Sequence, residues 1–209
     1  MSAAGIPQSM LGDYLGLFAS TEIYIFVFME IITKTEAIQR VIFKNAGVRD
    51  YIAFILLFGL FSIFGTYIGS TGSYEAISNI RDLAPMVAGL VAGPYVGLAV
   101  GLIGGIHRFL LGGLTCIPCS LATVLAGLFA GLIYRLNKEK LLGIVSAMLF
   151  AVVIELMHGG LILFLVHPYT VALDVVLDVI PKMMIANSLG IGVTIIIIHS
   201  TKSSRRPVV

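Results

Sequence analysis

Two arginines lie where an arginine is costly. Arg81 and Arg108 fall inside the apolar, glycine-rich stretch between Asn79 and Thr123, in a chain otherwise built of long apolar runs and basic loops. An ionisable side chain at mid-bilayer costs at least ~2.5–3.5 kcal/mol, so each marks a candidate functional site. A guanidinium fork pairs bidentately with a carboxylate and keeps its charge when partly buried. Two forks at one depth repel each other, and a small anion between them is stabilised by both. Cys119 is the third candidate, a thiol that would contact the ligand or report oxidation. The competing reading pairs Arg81 with Asp82 or Glu75, lets Arg108 snorkel to headgroups and packs Cys119 as an inert small side chain.

Counting brings the three together. Proline cannot continue a helix and glycine readily ends one, so Gly93-Pro94 breaks the stretch. Arg81 lies twelve residues before Gly93 and Arg108 fourteen after Pro94, which on helices is roughly 18 Å and roughly 21 Å. A tight turn between antiparallel helices then puts both guanidiniums at nearly the same depth. A second turn at Gly112-Gly113 returns Cys119 to that level.

The elements that must hold this site are membrane helices. The chain has 209 residues, 58% of them hydrophobic and only 11% charged, with mean hydropathy +1.05. That is an integral membrane composition and one domain. The basic residues flank apolar runs instead of forming a patch, so nucleic acid is not a partner. Residues 1–13 read as a short extramembrane tail, with no cleavable signal peptide evident. Spans are expected over about Tyr14–Thr33, Tyr51–Gly69, Asn79–Ala92, Tyr95–Leu111, Pro118–Tyr134, Leu141–Val166 and Met183–His199. Asn79 is read as the cap of the third span, with Arg81 and Asp82 in its first turn. Tyr169–Pro181 is read as a connection. Gly97, Gly101 and Gly105 recur every four residues, and Gly89/Gly93 and Gly127/Gly131 repeat the spacing, which lets helices approach closely in lipid.

Ten of the thirteen Lys and Arg residues fall in 34–49, 135–140 and 202–206. Placing all three segments in the cytoplasm requires an even number of crossings between Arg49 and Arg135, which the Gly93-Pro94 break supplies. The expected fold is an all-α bundle of six to seven transmembrane helices with a short central hairpin broken at Gly93-Pro94. It has a transmembrane domain over 14–200 and a basic cytoplasmic tail over 201–209. The N-terminus is outside, the C-terminus inside, and the arginine site lies in the outer half of the plasma membrane.

Other chemistry-bearing residues carry less. Cys116-Ile117-Pro118-Cys119 has redox spacing without a βαβ context. Glu155 and His158, three apart on one helix face, are read as a hydrogen-bonded pair, with a proton relay or metal pair as the sharper alternative. His107 points roughly 100° away from Arg108. No metal, no cofactor and no nucleophile–base pair are expected, so an enzyme is disfavoured.

The chain resembles the LytS-YhcK-type membrane receptor domain, the input module of certain bacterial and archaeal sensor kinases and diguanylate cyclases. The resemblance is carried by Ser78-Asn79-Ile80-Arg81, by Ala88-Gly89-Leu90-Val91-Ala92-Gly93-Pro94-Tyr95-Val96-Gly97 and by Gly104-Gly105-Ile106-His107-Arg108-Phe109-Leu110-Leu111-Gly112-Gly113-Leu114-Thr115. It continues through Cys119, Thr123, Gly127 and Gly131, then more faintly to Glu155 and Asn187-Ser188-Leu189-Gly190; towards the N-terminus, 58–67 also fits. It implies a sensor that binds a small solute from outside, and pyruvate-responsive kinases are among the family's members. Carried over, their ligand site would use Arg81, Arg108 and Cys119, with Ser120, Thr123, Asn79 and Thr115 nearby and His107, Glu155, His158 and Asn187 behind them. Two positions depart: Ala122 stands where pyruvate-sensing relatives have a serine, and the proline expected just before Met183 is shifted to Pro181. A kinase or cyclase output is expected in a separate or missing C-terminal region. The expected partners are a small organic acid, membrane lipid, a second copy of the chain and a cytoplasmic kinase or cyclase. The alternative function is a solute-binding subunit of an energy-coupled transporter.

Overall fold

The computed structural model describes residues 8–204, of which helices make up most. In chain order the helices are α1 (Gln8–Ile32), α2 (Glu36–Ile42), α3 (Val48–Tyr67), α4 (Leu83–Ala92), α5 (Pro94–Leu110), α6 (Cys116–Leu136), α7 (Ile144–Leu165) and α8 (Tyr169–Ser204). Among the described residues α3, α6, α7 and α8 are long and apolar enough to cross a membrane, while α4 and α5 are shorter apolar helices. Residues 1–7 and 205–209, including part of both expected tails, lie outside the described residues.

The centre is a helical hairpin welded to a third helix. Gly93 adopts φ 90° between α4 and α5, a backbone region that costs glycine nothing, and Pro94 opens α5 with its ring. The four-residue glycine spacing is used directly. A Cβ on Gly89 would come 2.6 Å from the Gly127 carbonyl oxygen. Side chains there would push α4 off α6. Close backbone approach substitutes for the hydrophobic effect, which is absent in lipid. The first core of the bundle gathers Ile25 and Met29 from α1, Phe54 and Phe58 from α3, Leu83, Met86 and Leu90 from α4, and Ile191 and Ile195 from α8.

Three expectations are corrected. The polar loop before α4 is a small antiparallel hairpin, β1 (Gly69–Thr71) paired with β2 (Ile77–Asn79), so the architecture is helical but not wholly so. Asn79 ends β2 and does not cap α4, which begins at Leu83 with Asp82 at its N-cap position. The connection at Tyr169–Pro181 is helical: α8 runs unbroken through Pro181 for 36 residues. Its acids are engaged by the hairpin as well as from within the helix. Asp178 Oδ2 accepts from the Ser73 amide (2.7 Å) and hydroxyl (3.0 Å), and Lys182 donates to its other oxygen. Tyr74 donates to Asp174 (3.3 Å). The hairpin is thereby clasped to α8.

Candidate functional site

Arg81 leaves β2 on irregular backbone and is fully buried. Its amide donates to Asn79 Oδ1 (3.1 Å) while Asn79 Nδ2 donates to the Ile77 carbonyl (3.0 Å), a local turn that fixes where the side chain starts. The Arg81 carbonyl accepts from Ser62 (3.1 Å) on α3. Gly65 makes that contact feasible, because a Cβ there would sit 2.9 Å from the Arg81 Cα. The side chain then reaches α6, where Nε donates to Thr123 Oγ1 (2.7 Å) and lies 3.4 Å from Asp82 Oδ1. Both terminal nitrogens, Nη1 and Nη2, are buried with no hydrogen-bond partner.

Arg108, in the last turn of α5, is 3% exposed and held differently. Its Nη1 donates to the Gly112 carbonyl (2.6 Å) and its Nη2 to Thr115 Oγ1 (3.0 Å), leaving Nε without a partner. Gly112 and Gly113 both take positive φ to turn the chain back into α6.

Thr115, Cys119 and Thr123 are four residues apart and share one face of α6. Arg108 is anchored on the first and Arg81 on the third, with the buried thiol midway. The anchors are therefore staggered by roughly 12 Å along the helix, not level as counting suggested. The count treated residues 79–82 as helix, whereas Asn79 ends β2 and residues 80–82 form the turn that leads into α4. The charges of both arginines act on Cys119 and on His107. The site residues expected from the sequence thus divide. Arg81, Arg108, Thr115, Cys119 and Thr123 come together. Asn79 serves the backbone turn. His107 faces α3, 3.2 Å from the Tyr67 hydroxyl. Ser120 lies on another face of α6, in an apolar groove with Gly105, Ile106, Phe109 and Leu121.

Behind the thiol is a buried polar chain whose hub the sequence reading underrated. Asp82 accepts from Thr123 (2.5 Å), and the Thr123 hydroxyl also lies 2.9 Å from the Cys119 carbonyl. His158 Nε2 is 3.2 Å from Cys119 Sγ, and its Nδ1 is 3.4 Å from both Asp82 Oδ2 and Glu155 Oε2. Asn187 on α8 donates to Glu155 Oε1 (2.7 Å) and approaches the Asn79 carbonyl at 3.5 Å. Glu155 and His158 are indeed neighbours, but they answer to Asp82 and Asn187 as much as to each other. An acid beside an arginine inside an apolar segment is the sequence signal that points to Asp82.

The family model described as 5TMR of 5TMR-LYT matches residues 35–201. The chain belongs to that family. It is 32% identical over 140 residues to the sensor histidine kinase BtsS of Escherichia coli (strain K12), covering 65% of this chain and 25% of that protein. It is 32% identical over 165 residues to the sensor histidine kinase YpdA of the same strain, covering 75% and 28%. It is 28% identical over 192 residues to the sensor protein LytS of Bacillus subtilis (strain 168), covering 81% and 32%. The chain spans about a quarter to a third of the length of these curated relatives, and the match is to the membrane sensor module, not to the kinase region. No solved structure matches the chain.

Proposed function

We propose that this module binds a small monocarboxylate, pyruvate or a close analogue, from the outer face between Arg81 and Arg108, and passes the event inward through α8. One observation carries the reading: Arg81 is fully buried, yet both of its terminal nitrogens lack a partner. Those are the two donors a carboxylate takes in bidentate pairing. Leaving charged donors buried and unmet is costly, and a guest anion removes that cost. Asp82 occupies only the Nε side, so the internal ion pair and an anion guest are compatible. Cys119, lying in the field of both cations, lines the interval between them. Membership of a sensor family favours a receptor over a transport subunit. In the orientation consistent with the basic segments, six to seven segments cross or enter the plasma membrane with the C-terminus cytoplasmic. Output passes to a cytoplasmic histidine kinase or cyclase, as part of the same chain or as a partner, with a second copy of the module beside it.

The test is a thermal-shift and calorimetric screen of small organic acids against the protein in detergent at neutral pH. Wild type is expected to bind a monocarboxylate saturably, and Arg81→Lys and Arg108→Ala to lose that binding while eluting as monodisperse protein. Unchanged affinity in either folded variant would overturn the reading.

A further inference from the structure

Three buried side chains behind the arginines are each pinned by one atom and free at the other. Asp82 Oδ1 accepts from Thr123, while its Oδ2 has no hydrogen-bond partner. Glu155 Oε1 accepts from Asn187, while Oε2 has none. His158 Nε2 lies against Cys119 Sγ, while Nδ1 has none. The three free atoms converge. His158 Nδ1 stands 3.4 Å from each of the two oxygens, and the group fits within 4.8 Å. None of the three residues is more than 1% exposed.

Direct hydrogen bonds would close these gaps to about 2.7–3.0 Å. A separation of 3.4 Å is instead the edge of a tetrahedron whose centre lies roughly 2.0–2.1 Å from each corner, the usual distance from zinc to an imidazole nitrogen or a carboxylate oxygen. Two carboxylates supply the charge that a divalent ion needs, and imidazole steers the choice towards zinc and its neighbours over magnesium or calcium. The far atom of each residue is already held by a neighbour, as the far atoms of metal ligands characteristically are. We propose that Asp82, Glu155 and His158 bind one divalent transition-metal ion of the zinc class, joining the N-cap of α4 to α7. Thr123, Asn187 and Cys119 are its positioning residues. Three protein ligands leave one coordination position open. Arg81 touches this group only through the other oxygen of Asp82, so the ion site and the arginine fork share one carboxylate without sharing an atom.

The full chain, purified in detergent without an affinity tag, is stripped with chelator and titrated with Zn²⁺ and with Co²⁺ as a spectroscopic probe. The expected result is one ion per chain by elemental analysis, a four-coordinate cobalt spectrum and a higher unfolding midpoint. Glu155→Gln and His158→Gln are expected to abolish stoichiometric uptake. Asn187→Ala, which keeps all three ligands, should weaken it roughly 10–100-fold. A monodisperse wild-type chain that takes up no stoichiometric ion overturns the proposal, as does a folded His158→Gln chain that still takes up one ion. A proton shared between the ring and the two acids would give stability that varies with pH but no cobalt spectrum, and that outcome also overturns it. The measurement uses no organic acid, so its failure leaves the carboxylate reading intact.

Discussion

The two ends of this bundle carry charge in opposite ways. Near Arg81 the charges are buried: Arg81, Asp82 and Glu155 are fully inaccessible, His158 is 1% exposed, and each is tied to several elements at once. At the end where α2 meets α3, the charges are solvated. Arg40 bridges Glu36 (3.1 Å) and Asp50 (2.8 Å), and Lys44 meets Glu139 (3.3 Å), with Arg40 and Lys44 side chains about half exposed. Both ends show ion pairs of similar length, yet they are not equivalent. An exposed pair exchanges water for a partner at little gain. A buried one cannot lose a member without stranding the other in a medium that solvates it poorly. Distance alone therefore says little; what surrounds the pair decides.

The sharpest way to break this contrast is Asp82→Ala. It strands Arg81 and releases Thr123 and His158 together, and is expected to cost about 3–5 kcal/mol of stability, read as a fall in the unfolding midpoint in detergent. Thr123→Val, which keeps the shape but removes the hydroxyl that Arg81 Nε reaches, should cost about 1.5–3 kcal/mol by the same measurement. Asp178→Ala removes the two Ser73 bonds of the clasp, leaving Tyr74 on Asp174, and should cost about 1 kcal/mol, with faster proteolysis near Ser73 as the local readout. Arg40→Ala removes an exposed ion pair to Glu36 and a half-sheltered one to Asp50 and is expected to cost no more than about 1 kcal/mol. A midpoint loss for Arg40→Ala matching that for Asp82→Ala would erase the distinction.

Much of this arrangement was legible beforehand, and the reason is physical. The Gly93-Pro94 break, the glycine ladder and the intramembrane arginines are all costly or conformationally special, so each advertises a purpose. The hairpin at Gly69–Asn79 was not legible, because two strands of three residues carry no periodicity to read. Nor was the continuity of α8. Pro181 and two acids resemble a connection until Ser73 and Tyr74, a hundred residues earlier, are seen to engage those acids. Asp82 was legible only in part: its pairing with Arg81 could be read from the sequence, but not that a histidine from α7 approaches its other oxygen. Thr115, Cys119 and Thr123 were all legible beforehand, Cys119 from its depth and the two threonines from the resemblance, but that Arg108 and Arg81 end on the two threonines was not.

The unbroken course of α8 joins the hairpin end of the bundle to the opposite end within a single helix. At 36 residues it is roughly 54 Å long, well beyond the ~30 Å of a bilayer's oily interior. It is gripped by the hairpin near one end and touches the Glu155 cluster through Asn187 partway along. Pro181 removes one internal hydrogen bond and softens the helix locally, yet no joint between separate helices interrupts it, so a tilt or twist at the clasped end travels to the far tip within one element.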